Sequence, residues 1–142
     1  MLCYSNNGFS MRAVDNDYVA QEGEVLFSDY ATNAELDIAF PGYLTILFNK
    51  QQSAIQKKLT DSVQLHMDSV AQSKGYDNIF SAATYAEEPS IPKFQAEGIA
   101  FRKWRSEVWD FCYAYLDDVT NGIKEVPTVE QLISELPSLV LP

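Results

Sequence analysis

Histidine occurs once in this chain of 142 residues, at His66, and cysteine twice, at Cys3 and Cys112. A lone imidazole excludes His-dependent catalytic triads and multi-histidine zinc sites, and two distant cysteines make neither a CxxC pair nor a disulfide scaffold. Basic side chains are scarce as well. Lys and Arg number 10 against 20 Asp and Glu, which leaves a net charge of −10. That balance repels free duplex and anionic lipid alike, so neither nucleic acid nor a membrane is expected as a partner. No glycine-rich phosphate loop is present. No apolar run approaches the roughly 20 residues of a membrane span, and no basic-then-apolar leader opens the chain. The expectation is a protein of the reducing cytoplasm with both thiols free.

What is present is ordinary globular material. Hydrophobic residues make up 46% of the chain, and this length supports a core without a metal or a cofactor. The pattern points to an α+β fold. Residues 1–42 carry seven acids against Arg12 alone and read as a small acidic β-rich head with one short helix. Leu2–Ser5 and Phe9–Ala13 flank Asn6-Asn7-Gly8, a sequence suited to the positive φ angles of a tight antiparallel hairpin. Glu24–Ser28 can add a third strand. Thr32-Asn33-Ala34-Glu35 matches a capping box and opens a short helix that Pro41-Gly42 ends.

Residues 43–142 read as a helical domain built on a long antiparallel two-helix hairpin. Between Tyr43 and Lys74 there is neither Gly nor Pro, and Leu44, Phe48, Ile55, Leu59, Val63 and Val70 recur at helical spacing, predicting a helix over about 44–74 with Gly75 as its left-handed cap. Its expected partner covers about 92–121, with Phe94, Phe101, Trp104, Val108, Phe111, Tyr115 and Val119 as its stripe and Asn121-Gly122 as its stop. Short helices are expected over about 78–86, capped by Asp77, and over about 129–136, opened by the capping box Thr128–Gln131. Pro41-Gly42 is the expected boundary between the two parts. Gly98, inside the second long helix, implies a close backbone neighbour, for which Ser81-Ala82-Ala83 is the candidate.

The residues offer little reaction chemistry. Trp104 and Trp109 are five apart, about 140° around a helix, so they do not point the same way. Both are expected to pack inside, as aromatic helical stripes usually do, the other reading being one in the core and one as a surface anchor. Arg102, Lys103 and Arg105 are expected to pair with Glu97, Glu107 and Asp110 along a solvated face, the other reading being a protein-binding patch with arginine and tryptophan anchors. Glu87-Glu88 and Asp117-Asp118 are adjacent residues that diverge on a helix, so they read as caps and loop charges rather than a glycosidase dyad. His66 reads as a half-buried imidazole, and Cys112 as an inert thiol beside the apolar stripe.

Two stretches nevertheless carry a recognisable pattern. Tyr76-Asp77-Asn78-Ile79, Ala82-Ala83-Thr84-Tyr85-Ala86 up to Pro89, Phe94-Gln95-Ala96-Glu97-Gly98 and Trp104-Arg105-Ser106-Glu107-Val108-Trp109 resemble the helical module of small tailed-bacteriophage proteins associated with tail fibres or receptor-binding proteins. The resemblance runs from about Ile55 to Pro137. Gly23–Phe27 and Phe40–Tyr43 are similar to the opening of phage tail-fibre assembly or accessory proteins. The resemblance implies a non-enzymatic protein without cofactor or metal that binds a phage tail fibre or tailspike, as an assembly chaperone in the host cytoplasm or as a subunit retained in the virion tail. Two faces are candidates for that contact. One is a strand edge at Leu2–Ser5 or Glu24–Ser28, with Tyr4, Phe9 and Phe27 as anchors. The other is the helical hairpin, with Arg105, Trp109 and Tyr113. The long helices can pair within the chain or between copies, so a homo-oligomer stays open. A minor structural tail or baseplate protein and an acidic DNA-mimic inhibitor of a host protein remain as alternative functions, the latter because −10 suits it although the acids are scattered.

Overall fold

A computed structural model describes all residues from Met1 to Pro142. The chain divides into two compact units, Met1–Ile55 and Gln56–Pro142, and its architecture is α+β, with a three-stranded antiparallel sheet followed by helices that include a long pair.

In the first unit, strand β1 (Leu2–Ser5) pairs antiparallel with β2 (Ser10–Ala13) and with β3 (Val25–Phe27), in the order β2-β1-β3. The hairpin turn is made by Asn6, Asn7 and Gly8, all at positive φ. Gly8 is fixed twice over, because a Cβ there would sit 2.9 Å from the Tyr43 ring. The register pairs Leu2 with Phe27 and Tyr4 with Val25. With side chains alternating across a strand, these four share one face, which packs on Leu36 and Phe40 of helix α1 (Asn33–Ala39) and on Tyr43. The expected edge at Leu2–Ser5 is therefore corrected. β1 is the central strand, its hydrogen-bonding groups taken by neighbours on both sides, and the free edges belong to β2 and β3.

Helix α2 spans Tyr43–Ser73. Tyr43 and Leu47 belong to the first unit's core, whereas Leu59, Val63, Met67, Val70 and Ala71 belong to the second's. That sharing explains why the units meet after Ile55 and not at Pro41-Gly42: the turn interrupts the backbone, but the apolar cluster continues across it. The expected single stripe on α2 is also revised. At about 100° per residue, Leu44, Phe48 and Ile55 lie together about 100° round from Val63 and Met67. They are 44%, 58% and 41% exposed, while Val63 and Met67 are buried.

The second unit adds α3 (Ile79–Thr84), a 3-10 turn at Tyr85–Glu87, α4 (Pro92–Thr120) and α5 (Val129–Glu135). Asn78, not Asp77, caps α3, its side chain accepting the Ser81 N–H at 2.8 Å. Both capping boxes form as the sequence requires, at Thr32/Glu35 and Thr128/Gln131. Gly75 ends its helix at a φ of 92°. Phe101, Trp104 and Val108 of α4 meet Val63, Met67 and Ala71 of α2 and Ile79 and Ala82 of α3 in one core, with Leu132 and Leu136 closing it. Phe94, by contrast, is 40% exposed. Gly98 does face a backbone, but the neighbour is the turn after α3: a Cβ would lie 2.4 Å from the Ala86 nitrogen. The segment after α5 lays Leu139 and Leu141 on the core, and the Trp104 Nε1–H donates to the Pro137 carbonyl at 2.7 Å.

Candidate functional site

The six candidate binding residues fall into two groups of different character. In the first unit, Tyr4 is an internal side chain at 6% exposure. Its ring meets Phe27 edge-on at 5.5 Å, and its hydroxyl accepts the Ala31 N–H at 3.1 Å. Phe9 stacks on Tyr43 at 4.8 Å, and the Lys50 ammonium stands 3.9 Å above the Phe9 ring. Phe27 is half-buried in the same cluster. The structure thus brings Tyr4, Phe9 and Phe27 together, and together they hold the sheet to α1 and the start of α2. In the second unit, Arg105, Trp109 and Tyr113 follow one another at four-residue spacing, so they share a face of α4. Trp109 lies half-buried against the core, Arg105 makes no ion pair, and Tyr113 is 67% exposed. Of the two tryptophans, Trp104 is the core residue.

The other face of the sheet carries a polar cluster. Alternation puts Cys3, Arg12, Glu24 and Leu26 on it together. Arg12 donates to Glu24 at 2.7 Å and to the Tyr18 hydroxyl at 2.6 Å, and Tyr18 donates to Glu24 at 2.7 Å. The Gln21 N–H adds a further bond to the same carboxylate at 2.9 Å. These donors favour the ionised form, the Gln21 amide most of all, and hold the Glu24 carboxyl down at about 2. Burial and the neighbouring Glu24 push the Cys3 thiol up. The cluster closes the loop between β2 and β3 and leaves the thiol protonated, which makes it a weak nucleophile.

Other polar groups are similarly occupied. Tyr76 donates to Glu97 at 2.6 Å, and burial together with that carboxylate pushes its phenol up to about 12. Arg102 pairs with Glu87 across the turn and not with Glu97, while Lys103 pairs with Glu107 as expected, at 3.7 Å. The Ser90 side chain first, and then the Ser90 N–H that donates to Glu88 at 2.9 Å, hold the Glu88 carboxyl below the usual range. Asp118 faces Lys124 at 3.5 Å. The adjacent carboxylates are thus loop and ion-pair groups, and neither pair forms an opposed dyad. Burial raises the Cys112 thiol. No group of three or more His, Cys, Asp or Glu side chains is placed to hold a metal ion, and no helix is long and apolar enough to cross a membrane.

The surface that sequence reasoning missed is on α2. Leu44, Phe48 and Ile55 form an exposed apolar stripe in a stretch, residues 43–60, that contains Lys50, Lys57 and Lys58 and no acid. Periodicity alone assigns this stripe to the core; only the 3.6-residue phase, followed from Leu44 to Val63, separates the two faces. Comparison with protein-family models, with curated proteins and with solved structures gives no match.

Proposed function

We propose that this chain is a non-enzymatic accessory protein of a bacteriophage tail fibre or receptor-binding protein, binding the fibre as an assembly chaperone in the host cytoplasm or as a subunit kept in the virion tail. The partner class comes from the sequence pattern between Ile55 and Pro137. The observation that carries a binding role is the exposed stripe of Leu44, Phe48 and Ile55 on an otherwise lysine-bearing stretch of α2. Large apolar side chains left at a helix surface in a row favour a partner that removes them from water. Tyr113 supplies a second exposed aromatic on α4, of the residue class that anchors interfaces.

The test is co-expression with a fibre encoded beside it. A complex should survive gel filtration, and the fibre should be insoluble without this chain. Phe48→Ala and Tyr113→Ala, both at exposed positions, should keep the helical circular dichroism, and at least one should weaken the complex tenfold or more, as truncation of an aromatic anchor does. A fibre that matures alone, with no complex on the column, rejects the reading. Mass spectrometry of intact virions then separates a retained subunit from a chaperone that leaves.

A further inference from the structure

Within the second unit, α2, α4, α5 and the segment after α5 enclose an open cleft of about 400 Å³. Its apolar walls include Val70, Trp104, Ile133 and Leu139, and its polar groups are His66, Lys74, Ser134 and Ser138. The size falls in the range of small-molecule sites, and so does the composition, mostly apolar with a few polar groups. Its charge sets it apart from the rest of the unit. Residues 56–142 hold 13 acids, yet none of them lines the cleft. The only ionisable groups in the lining are an imidazole and an ammonium. The five ion pairs of the protein include neither of them, and the His66 ring meets Trp104 at 6.2 Å.

We propose that this cleft binds an amphipathic monocarboxylate, a medium-chain alkanoate being the simplest member of the class. The alkyl chain lies along Trp104, Val70 and Leu139, and the carboxylate meets Lys74 and His66, whose donors have no carboxylate of the protein to satisfy. Hydrogen bonds to an ionised acceptor are about twice as strong as neutral ones, so the head group and not the chain decides selectivity. A neutral alcohol keeps the apolar contacts and loses the ionic ones. An alkylammonium of the same length brings a like charge to Lys74.

The chain's single histidine makes the experiment direct, because its two ring C–H signals in a proton NMR spectrum need no assignment. The full chain is titrated at constant pH with octanoate, 1-octanol and octylammonium, all below the concentration at which they aggregate. Saturable movement of the His66 signals is expected with octanoate, with octanol binding about tenfold more weakly or worse and octylammonium not binding. Lys74→Gln, a change at an exposed position, should reduce octanoate to the level of octanol while the His66 signals of the free protein stay in place. Failure of octanoate to move those signals overturns the proposal. Equal responses to the three compounds, or an unchanged response in Lys74→Gln, overturn it too. The result is independent of the fibre reading, because no partner protein is in the tube.

Discussion

Two residues show how much rests on single positions. Gly98 sits in the middle of a helix, where glycine costs about 1 kcal/mol relative to alanine, and a Cβ would fall 2.6 Å from the Tyr85 carbonyl carbon as well as on the Ala86 nitrogen. Both obstacles are backbone, so the turn at Tyr85–Glu87 must move. Gly98→Ala should destabilise the protein by about 2–4 kcal/mol despite its better helix propensity, visible as a lower midpoint in urea. Sequence alone indicated the close approach at Gly98 but not its partner, because the chain turns once more after Thr84 before it crosses α4. Glu24 makes a pH prediction. Its folded value, about 2, is depressed from 4.5, so its contribution is present above about 4.5 and is lost as pH falls toward 2. Glu24→Gln should flatten that part of the acid limb of the stability curve. Tyr76 acts at the other end: its value is raised from 10 to about 12, and stability declines as pH climbs between the two. The Arg12–Tyr18–Glu24 cluster itself was not legible, since it depends on the path of the β2–β3 loop, which no local pattern encodes.

Local elements were the most legible part of this chain, and the reason is chemical. A capping box states its own geometry: the Thr32 and Thr128 hydroxyls accept the amides of Glu35 and Gln131, whose side chains reach back to the cap backbone. Asn6-Asn7-Gly8 likewise specifies its turn through the residues that tolerate positive φ. Thr128→Ala should cost about 1 kcal/mol and loosen α5, so amide exchange in Val129–Glu135 should accelerate while that in Asn33–Ala39 is unchanged. Thr32→Ala should give the converse pattern. Where strands and long helices depart from expectation, the missing information is non-local. That β1 is central follows only from where Val25–Phe27 returns, and hydrophobic spacing on α2 does not say that its two ends face different cores.

For the molecule as a whole the governing quantity is charge. The first unit carries seven acids and two bases, the second 13 acids and eight bases, so each has a net charge of −5. Only five ion pairs offset this, and exposed pairs contribute little. Self-repulsion therefore outweighs pairwise attraction. Raising sodium chloride from about 0.05 to about 0.5 M should raise the melting temperature, because the added ions screen repulsion among the excess carboxylates more than they weaken the few pairs. A fall would mean that the pairs dominate.

The helix shared by two cores also constrains how the protein can be dissected. A cut after Ile55 would follow the boundary of packing yet sever α2 between Leu47 and Leu59, giving each piece a raw terminus with about four unpaired amides or carbonyls. The fragments that stand a chance of folding alone are overlapping ones, each retaining Tyr43–Ser73 entire, so this is a molecule whose parts can be copied separately but not divided.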